Sequence, residues 1–316
     1  MSTPGPELLV TLPDTEWQEA LGQLPEGVRT VVWDVDSDPR EALGEDAERV
    51  GYVVLPYMTP ATALETVATL PRLQLVQTTS AGYDNLVDRL PGGVRLANGA
   101  GIHDASTSEL AVGLALAKLR GIDTAVRDAD QAAWRPAKRR SLADRKVLLL
   151  GVGGIGGAIA ARLAPFEVDL VRVATTARTD EHGAVHGVDE LPELLPEAEV
   201  VVIGLPLTDS TRGIVDAAFL AALPDGALLV NVGRGALVDT DALLAELRTE
   251  RLHAALDVVD PEPLPAEHPL WGAPNLLLTP HVGGATTAMQ PRALRLLRAQ
   301  VERLAAGEEP LNVVIG

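Results

Sequence analysis

The sequence predicts an α/β protein built from two doubly wound parallel-sheet domains. Three observations carry that expectation. Short apolar runs recur in two separate series, each interrupted by helix-like segments, as expected of parallel strands joined by helical crossovers. A glycine-rich turn, GVGGIGG at residues 151–157, opens the second series between an apolar run and a helical pattern. The chain of 316 residues is also long enough for two domains that each bury a core.

In order, the first series reads ELLVTL (7–12), VRTVVWDV (28–35), GYVVLP (51–56), LQLVQTTS (73–80) and VRLANG (94–99). A long helix-like stretch follows, ASTSELAVGLALAKLRGIDTAV (105–126), with Ser106 or Thr107 placed to cap it and leucines and valines at helical spacing. After a basic link, RPAKRRSLADRK (135–146), the second series runs VLLLGVG (147–153), DLVRVAT (169–175), EVVVIGLPL (199–207), ALLVNVGRG (227–235), LHAALDVV (252–259) and NLLLTPHVGG (275–284). These runs are nearly continuous in Val, Leu and Ile, the composition of strands covered on both faces. A last helix is expected over residues 286–306, before PLNVVIG.

Composition narrows the functional classes. Hydrophobic residues at 47% and charged residues at 22% fit an ordinary globular protein. A net charge of −18 disfavours nucleic acid or an anionic membrane as partner, since both would be repelled. With no cysteine, disulfides, thiol catalysis and thiolate metal sites are excluded, and no metal is expected. The amino terminus shows no export signal, and the longest uncharged stretch (147–161) is too short for a membrane span, so a cytoplasmic protein is expected.

The glycine loop is the first chemical signal. Gly151, Gly153 and Gly156 stand in G-x-G-x-x-G order after a strand and before a helix, where they permit a tight turn, close approach of a pyrophosphate, and close helix–strand packing. The reading is a Rossmann-type dinucleotide site. The next strand ends in Ala174, Thr175, Thr176, Ala177 and Arg178, with no acid for the ribose hydroxyls. Hydroxyls and a guanidinium suit a 2′-phosphate, which favours NADP(H) over NAD(H). A competing reading leaves Arg178 solvated and brings Asp180 or Glu181 back to the ribose.

Three polar residues stand beyond successive later strands: Arg234 between Gly233 and Gly235, Glu262 in the loop after the next strand, and His281 after the one following. A guanidinium fork meets a carboxylate bidentately, and a histidine oriented by a carboxylate can trade a proton near neutral pH. Such a set suits a 2-oxo or 2-hydroxy acid. Of the other histidines, His182 and His186 are expected in a polar loop, His253 at a strand start and His268 in a loop beside Trp271; His103 is the serious competitor.

The ordered motifs GVGGIG, LPLTDSTRGIV, NVGRGALVD, ALDVVDPEPLP, HPLW and TPHVGGAT, with TTSAGYDN and ANGAG in the first part, closely resemble the D-isomer-specific 2-hydroxyacid dehydrogenases, the group of glyoxylate/hydroxypyruvate reductases and phosphoglycerate dehydrogenases. The resemblance implies a discontinuous, flavodoxin-like substrate domain (1–102 and 286–316) and a central cofactor domain (103–285). It implies that Arg234 binds the substrate carboxylate and carbonyl, that His281 is the acid/base, and that Glu262, not Asp260, is its partner. It assigns Gly154, Ile155, Pro206 and Val232 to cofactor binding, Asp257 to the nicotinamide carboxamide, and the backbone of Ser80, Ala81 and Gly82 to the substrate carboxylate. A homodimer is implied as well. Val259 replaces a common aromatic of the family, and Tyr57, Met58, Tyr83 and His103 are candidates to shape the pocket. The expected activity is reduction of a small 2-oxo acid to a D-2-hydroxy acid. Two rivals stand beside it: a nucleotide-sensing, corepressor-like binding protein, and an NAD-linked, phosphoglycerate dehydrogenase-like enzyme working oxidatively.

Overall fold

The computed structural model describes residues 7–84, 86 and 89–316. The chain begins with β1 (Leu8–Leu12), α1 (Thr15–Leu21), β2 (Val28–Val32), α2 (Pro39–Leu43), β3 (Val50–Val54), α3 (Ala63–Val67), β4 (Leu75–Gln77) and β5 (Arg95–Ala97). It continues with α4 (Asp104–Arg120), α5 (Ile122–Asp130), β6 (Lys146–Leu150), α6 (Gly154–Leu163), β7 (Asp169–Ala174), β8 (Arg178–Asp180), β9 (Gly183–Gly187), α7 (Leu191–Leu194) and β10 (Val200–Ile203). Then come α8 (Ala217–Ala222), β11 (Leu228–Asn231), α9 (Thr240–Arg248), β12 (His253–Leu256), β13 (Leu276–Leu278), α10 (Met289–Ala305) and β14 (Val313–Ile315).

These elements fall into two compact units: residues up to His103 together with Thr287–Gly316, and Asp104–Thr286. The first unit has strand order β2-β1-β3-β4-β5, all parallel, with β14 antiparallel on the edge of β5. Relabelled by position this is 2-1-3-4-5, the flavodoxin-like order. The second unit has order β9-β7-β6-β10-β11-β12-β13 in parallel, with β8 antiparallel on β9. Its first six strands run 3-2-1-4-5-6, the dinucleotide-binding order, and the order reverses between β6 and β10.

Continuous apolar strands work here because both sheet faces are covered. In β6, Leu148 and Leu150 enter one core while Val147 and Leu149 enter the other. In β10 the same alternation divides Val201 and Ile203 from Val200 and Val202. The first unit repeats the pattern, with Leu9 on one face of β1 and Val10 and Leu12 on the other.

Two helix expectations need correction. Ser106 and Thr107 do not cap α4, which begins at Asp104 and buries both of them. Asp104 suits a helix amino end electrostatically, and the Ser108 hydroxyl bonds back to its carbonyl at 2.5 Å, so the turn closes earlier. The stretch is also not one helix. Gly121 takes a left-handed φ of 64° and separates α5 from α4. Among the described residues no helix is long and apolar enough to cross a membrane.

Candidate active site

At the carboxyl end of β6, Gly151 has φ 103°, and a Cβ there would lie 2.7 Å from the Gly204 carbonyl at the end of β10. A Cβ on Gly156 would overlap the Gly151 carbonyl. Both positions therefore need glycine, one for the turn and one for packing α6 against it. Gly153 differs, since a Cβ on it would meet nothing within 4 Å. It heads α6, whose amino end has no side-chain cap, so open space faces uncapped amides. That combination fits a dinucleotide's pyrophosphate.

The remaining cofactor candidates divide by environment. Gly154 lacks a side chain for the sake of Asp104, whose carboxylate would be 2.5 Å from its Cβ, and Ile155 packs against the core shared with α4. Their backbone amides, not their side chains, are what this helix start can offer a ligand. Val232 is buried, and its amide bonds the Ile203 carbonyl at 3.2 Å, whereas Pro206 is exposed beyond β10. Ala174 is buried at the end of β7, and Thr175, Thr176 and Arg178 are exposed around the turn that follows. Asp180 does not return to that turn: both its oxygens are held by Arg172.

Beyond β11 the chain makes a tight loop that carries Arg234. Asn231, fully buried, braces it by accepting the Gly233 amide at 3.0 Å and donating to the Arg234 carbonyl at 2.9 Å. Gly235 allows the next turn to lie on the Val259 carbonyl, where any Cβ would overlap. This contact ties the Arg234 loop to the loop beyond β12, which carries Glu262.

Glu262 and His281 meet directly. Glu262 Oε2 lies 2.8 Å from His281 Nδ1, while its Oε1 accepts the Val259 amide at 2.9 Å. Burial tends to raise the Glu262 carboxyl, but the hydrogen bonds from His281 and Val259 and the charge of Arg234 together hold it below the usual glutamate range. An ionised Glu262 accepts a hydrogen bond from Nδ1–H, which leaves Nε2 as the nitrogen able to exchange a proton. Asp260 has no part in this pair: it lines a surface groove of about 540 Å³ with Arg212, Asp239, Thr240 and His268.

His281 stands in left-handed backbone, φ 52°. Such a conformation costs energy in a non-glycine residue and persists only when its surroundings impose it. Asp257 imposes it. Its carbonyl accepts the His281 amide at 2.8 Å, Oδ1 accepts the Thr279 hydroxyl at 2.6 Å and the Val282 amide at 2.9 Å, and Oδ2 accepts the Gly283 amide at 2.9 Å. The sequence flags Asp257 and His281 as strand-end polar groups but not Asn231 or Thr279, whose side chains hold these loops. A polar residue ending an apolar run was the available signal for both.

Elsewhere, His186 is in β9, not a loop, and pairs with Glu190 at 2.7 Å. His268 accepts the Leu270 amide and so fixes its own turn. His103 belongs to the first unit, buried with Nε2 2.8 Å from the Thr79 carbonyl and its ring tilted against Tyr57 at 5.2 Å. In the same unit the Ser80 amide donates to the Thr78 hydroxyl at 3.1 Å.

The fold and site together define a dinucleotide-binding domain with a histidine–carboxylate pair and an arginine at the carboxyl ends of its strands. Residues 112–283 match the model of the D-isomer specific 2-hydroxyacid dehydrogenase NAD binding domain. A glyoxylate reductase of Aeropyrum pernix is 31% identical over 314 residues, covering 94% of this chain and 92% of its own. A D-isomer specific 2-hydroxyacid dehydrogenase of Xanthobacter autotrophicus, solved with NADPH and MES, superposes with TM-score 0.82 at 32% identity over 98% of both chains. An NADPH-dependent glyoxylate/hydroxypyruvate reductase of Sinorhizobium meliloti, solved with NADP and sulfate, does so with TM-score 0.80 at 25% identity, again over 98% of both chains. The chain belongs to the D-isomer-specific 2-hydroxyacid dehydrogenase family and is an NAD(P)-dependent oxidoreductase.

Proposed function

We propose that this protein reduces a small 2-oxo acid to a D-2-hydroxy acid with NADPH, reversibly in principle. The 2.8 Å pairing of Glu262 with a His281 held in strained backbone carries the reading. A nicotinamide cofactor, when bound, supplies the hydride. The amides at the start of α6 would hold its pyrophosphate, Asp257 would bear on the carboxamide, and Thr175, Thr176 and Arg178 would meet the 2′-phosphate. His281, protonated and oriented through Nδ1 by Glu262, gives its Nε2 proton to the alkoxide forming on the substrate. Arg234 binds the substrate carboxylate and stabilises charge on that oxygen. In the first unit, the backbone of Ser80, Ala81 and Gly82 would be the part that receives a carboxylate.

The relatives named above support the substrate class, and the NADPH and NADP bound in the two solved structures support the cofactor. The test is oxidation of NADPH and NADH side by side with glyoxylate, hydroxypyruvate, pyruvate and bulkier 2-oxo acids. Faster turnover with NADPH and at least one small 2-oxo acid is expected. Turnover of none would overturn the substrate class and favour a sensing role, and faster turnover with NADH would overturn the cofactor assignment. We also propose a homodimer, because Ile122, Val126 and Trp134 expose large apolar side chains within one short segment.

A further inference from the structure

We infer that Arg172 is a positioning residue for recognition of a 2′-phosphate: by engaging Asp180 it leaves the guanidinium of Arg178 unneutralised at the start of β8, just beyond β7. The inference rests on the NADP reading above. Arg172 lies within β7, two residues before Ala174, and is itself buried. Its Nη1 donates to Asp180 Oδ2 at 2.9 Å, and its Nη2 donates to Oδ1 at 2.8 Å and to the Ala184 carbonyl at 3.2 Å. The fork therefore grips both strands of the β8–β9 hairpin. Asp180 Oδ1 also accepts the His182 amide at 2.8 Å, which closes the hairpin turn.

The placement of Arg178 explains why this grip matters. Arg178 and Asp180 are the first and last residues of β8, and residues two apart share a face about 7 Å along a strand. Asp180 is thus well placed to pair with Arg178 and cancel its charge. The fork prevents it: Arg172, followed by the His182 amide, holds the Asp180 carboxyl below its usual range and directed at the sheet. Among the described residues, the hydrogen bond Arg178 makes is to the Thr176 carbonyl, at 3.4 Å. The other acid of the hairpin, Glu181, is directed to solvent with 87% of its side chain exposed. Pairing of β9 with β7 consists of Val173–His186 and Ala174–Gly187, so the Arg172 fork is also a main tie holding this edge in register.

The test uses calorimetric binding of 2′,5′-ADP and 5′-ADP to the full chain, with no turnover required. The wild type is expected to prefer 2′,5′-ADP, and equal affinity would sink the NADP reading itself. Given that preference, Arg172→Met should lower the ratio of the two affinities about tenfold, the scale of one charge-assisted hydrogen bond. A general loss of structure would weaken both ligands and leave the ratio in place. Adding Asp180→Asn should restore the ratio, because the competing carboxylate is gone. Arg172→Lys, which keeps the charge but not the fork, should give an intermediate value and carries the test if the methionine variant does not fold. A ratio unchanged in Arg172→Met and Arg172→Lys, or a fall that Asp180→Asn does not restore, would overturn the inference while leaving the NADP reading intact.

Discussion

The two edges of the second unit's sheet hold similar pairs of charged groups under different conditions. Near the amino end of β12, Lys118 at the end of α4 and Asp123 at the start of α5 pair at 2.8 Å with side chains 7% and 3% exposed, and Arg127 adds a second contact at 2.9 Å. Each charge also suits the helix end on which it sits. At the carboxyl ends, His281 and Glu262 pair at the same 2.8 Å but with side chains 27% and 34% exposed, and the histidine occupies left-handed backbone. The first pair has no room to exchange anything with solvent and relaxed geometry to stay formed. The second is open and strained, and its neighbours Asp257 and Asn231 spend their polar atoms holding loops rather than joining strands. The first pair is built to stay formed, and the second has the exposure that the proposed role of His281 needs.

His281→Gln should separate the edges most sharply. It removes the titrating group but keeps size and hydrogen bonding, so turnover should fall by a factor of about 10² or more, the usual worth of a positioned acid/base. Melting temperature and NADPH affinity should stay near wild type. Turnover equal to wild type would remove His281 from the reaction. Arg234→Lys comes next: the charge survives but the fork does not, and kcat/KM should drop about a hundredfold. A change confined to stability would instead place Arg234 with the structural residues.

Asp123→Asn probes the other edge. Breaking a buried pair leaves Lys118 without its counterion and should cost about 3 kcal/mol, read as a lower melting temperature with kcat and KM unchanged. Burial tends to raise the Asp123 carboxyl, but Lys118, Arg127 and the Thr124 amide bring it below its usual range. A carboxyl lowered on folding adds stability above its unfolded pKa and loses it as pH falls through the folded value. His253 acts in the same sense, because burial and the charges of Lys118 and Arg140 lower it from 6.5, so acid favours the unfolded chain there too. The variant should therefore lose less stability than wild type between neutral and acid pH. Equal pH slopes for the two proteins would detach this pair from acid unfolding.

The strands were legible because buried parallel strands are written as uninterrupted apolar runs, and the polar residues that end them stand out by contrast. Arg234 and His281 stand out in that way, the choice of Glu262 over Asp260 comes from the family resemblance, and the structure brings Glu262 and His281 into contact. The β8–β9 hairpin was not legible. Arg178–Asp180 is a three-residue polar edge strand with no apolar face, held by an ion pair from another strand and a turn at Gly183, φ 103°. The strain at His281 was hidden for a related reason, since it comes from hydrogen bonds to Asp257, 24 residues earlier in the chain by the numbering. Local pattern reveals what each segment buries, while these features depend on which segments meet.

Ala174→Asp has the smallest expected effect and separates two causes of cofactor choice within the chemical edge. Ala174 ends β7, buried beside its partner Gly187. A carboxylate there would accept the hydroxyls of an unphosphorylated ribose and repel a 2′-phosphate. The ratio of kcat/KM for NADPH to that for NADH should fall about tenfold, partly through a gain with NADH. Loss of the Arg172 grip should lower the same ratio through weaker NADPH binding alone, with NADH unimproved. If Ala174→Asp leaves the ratio unchanged, the missing acid does not set the preference, and discrimination must rest on Arg178 and the hairpin that presents it.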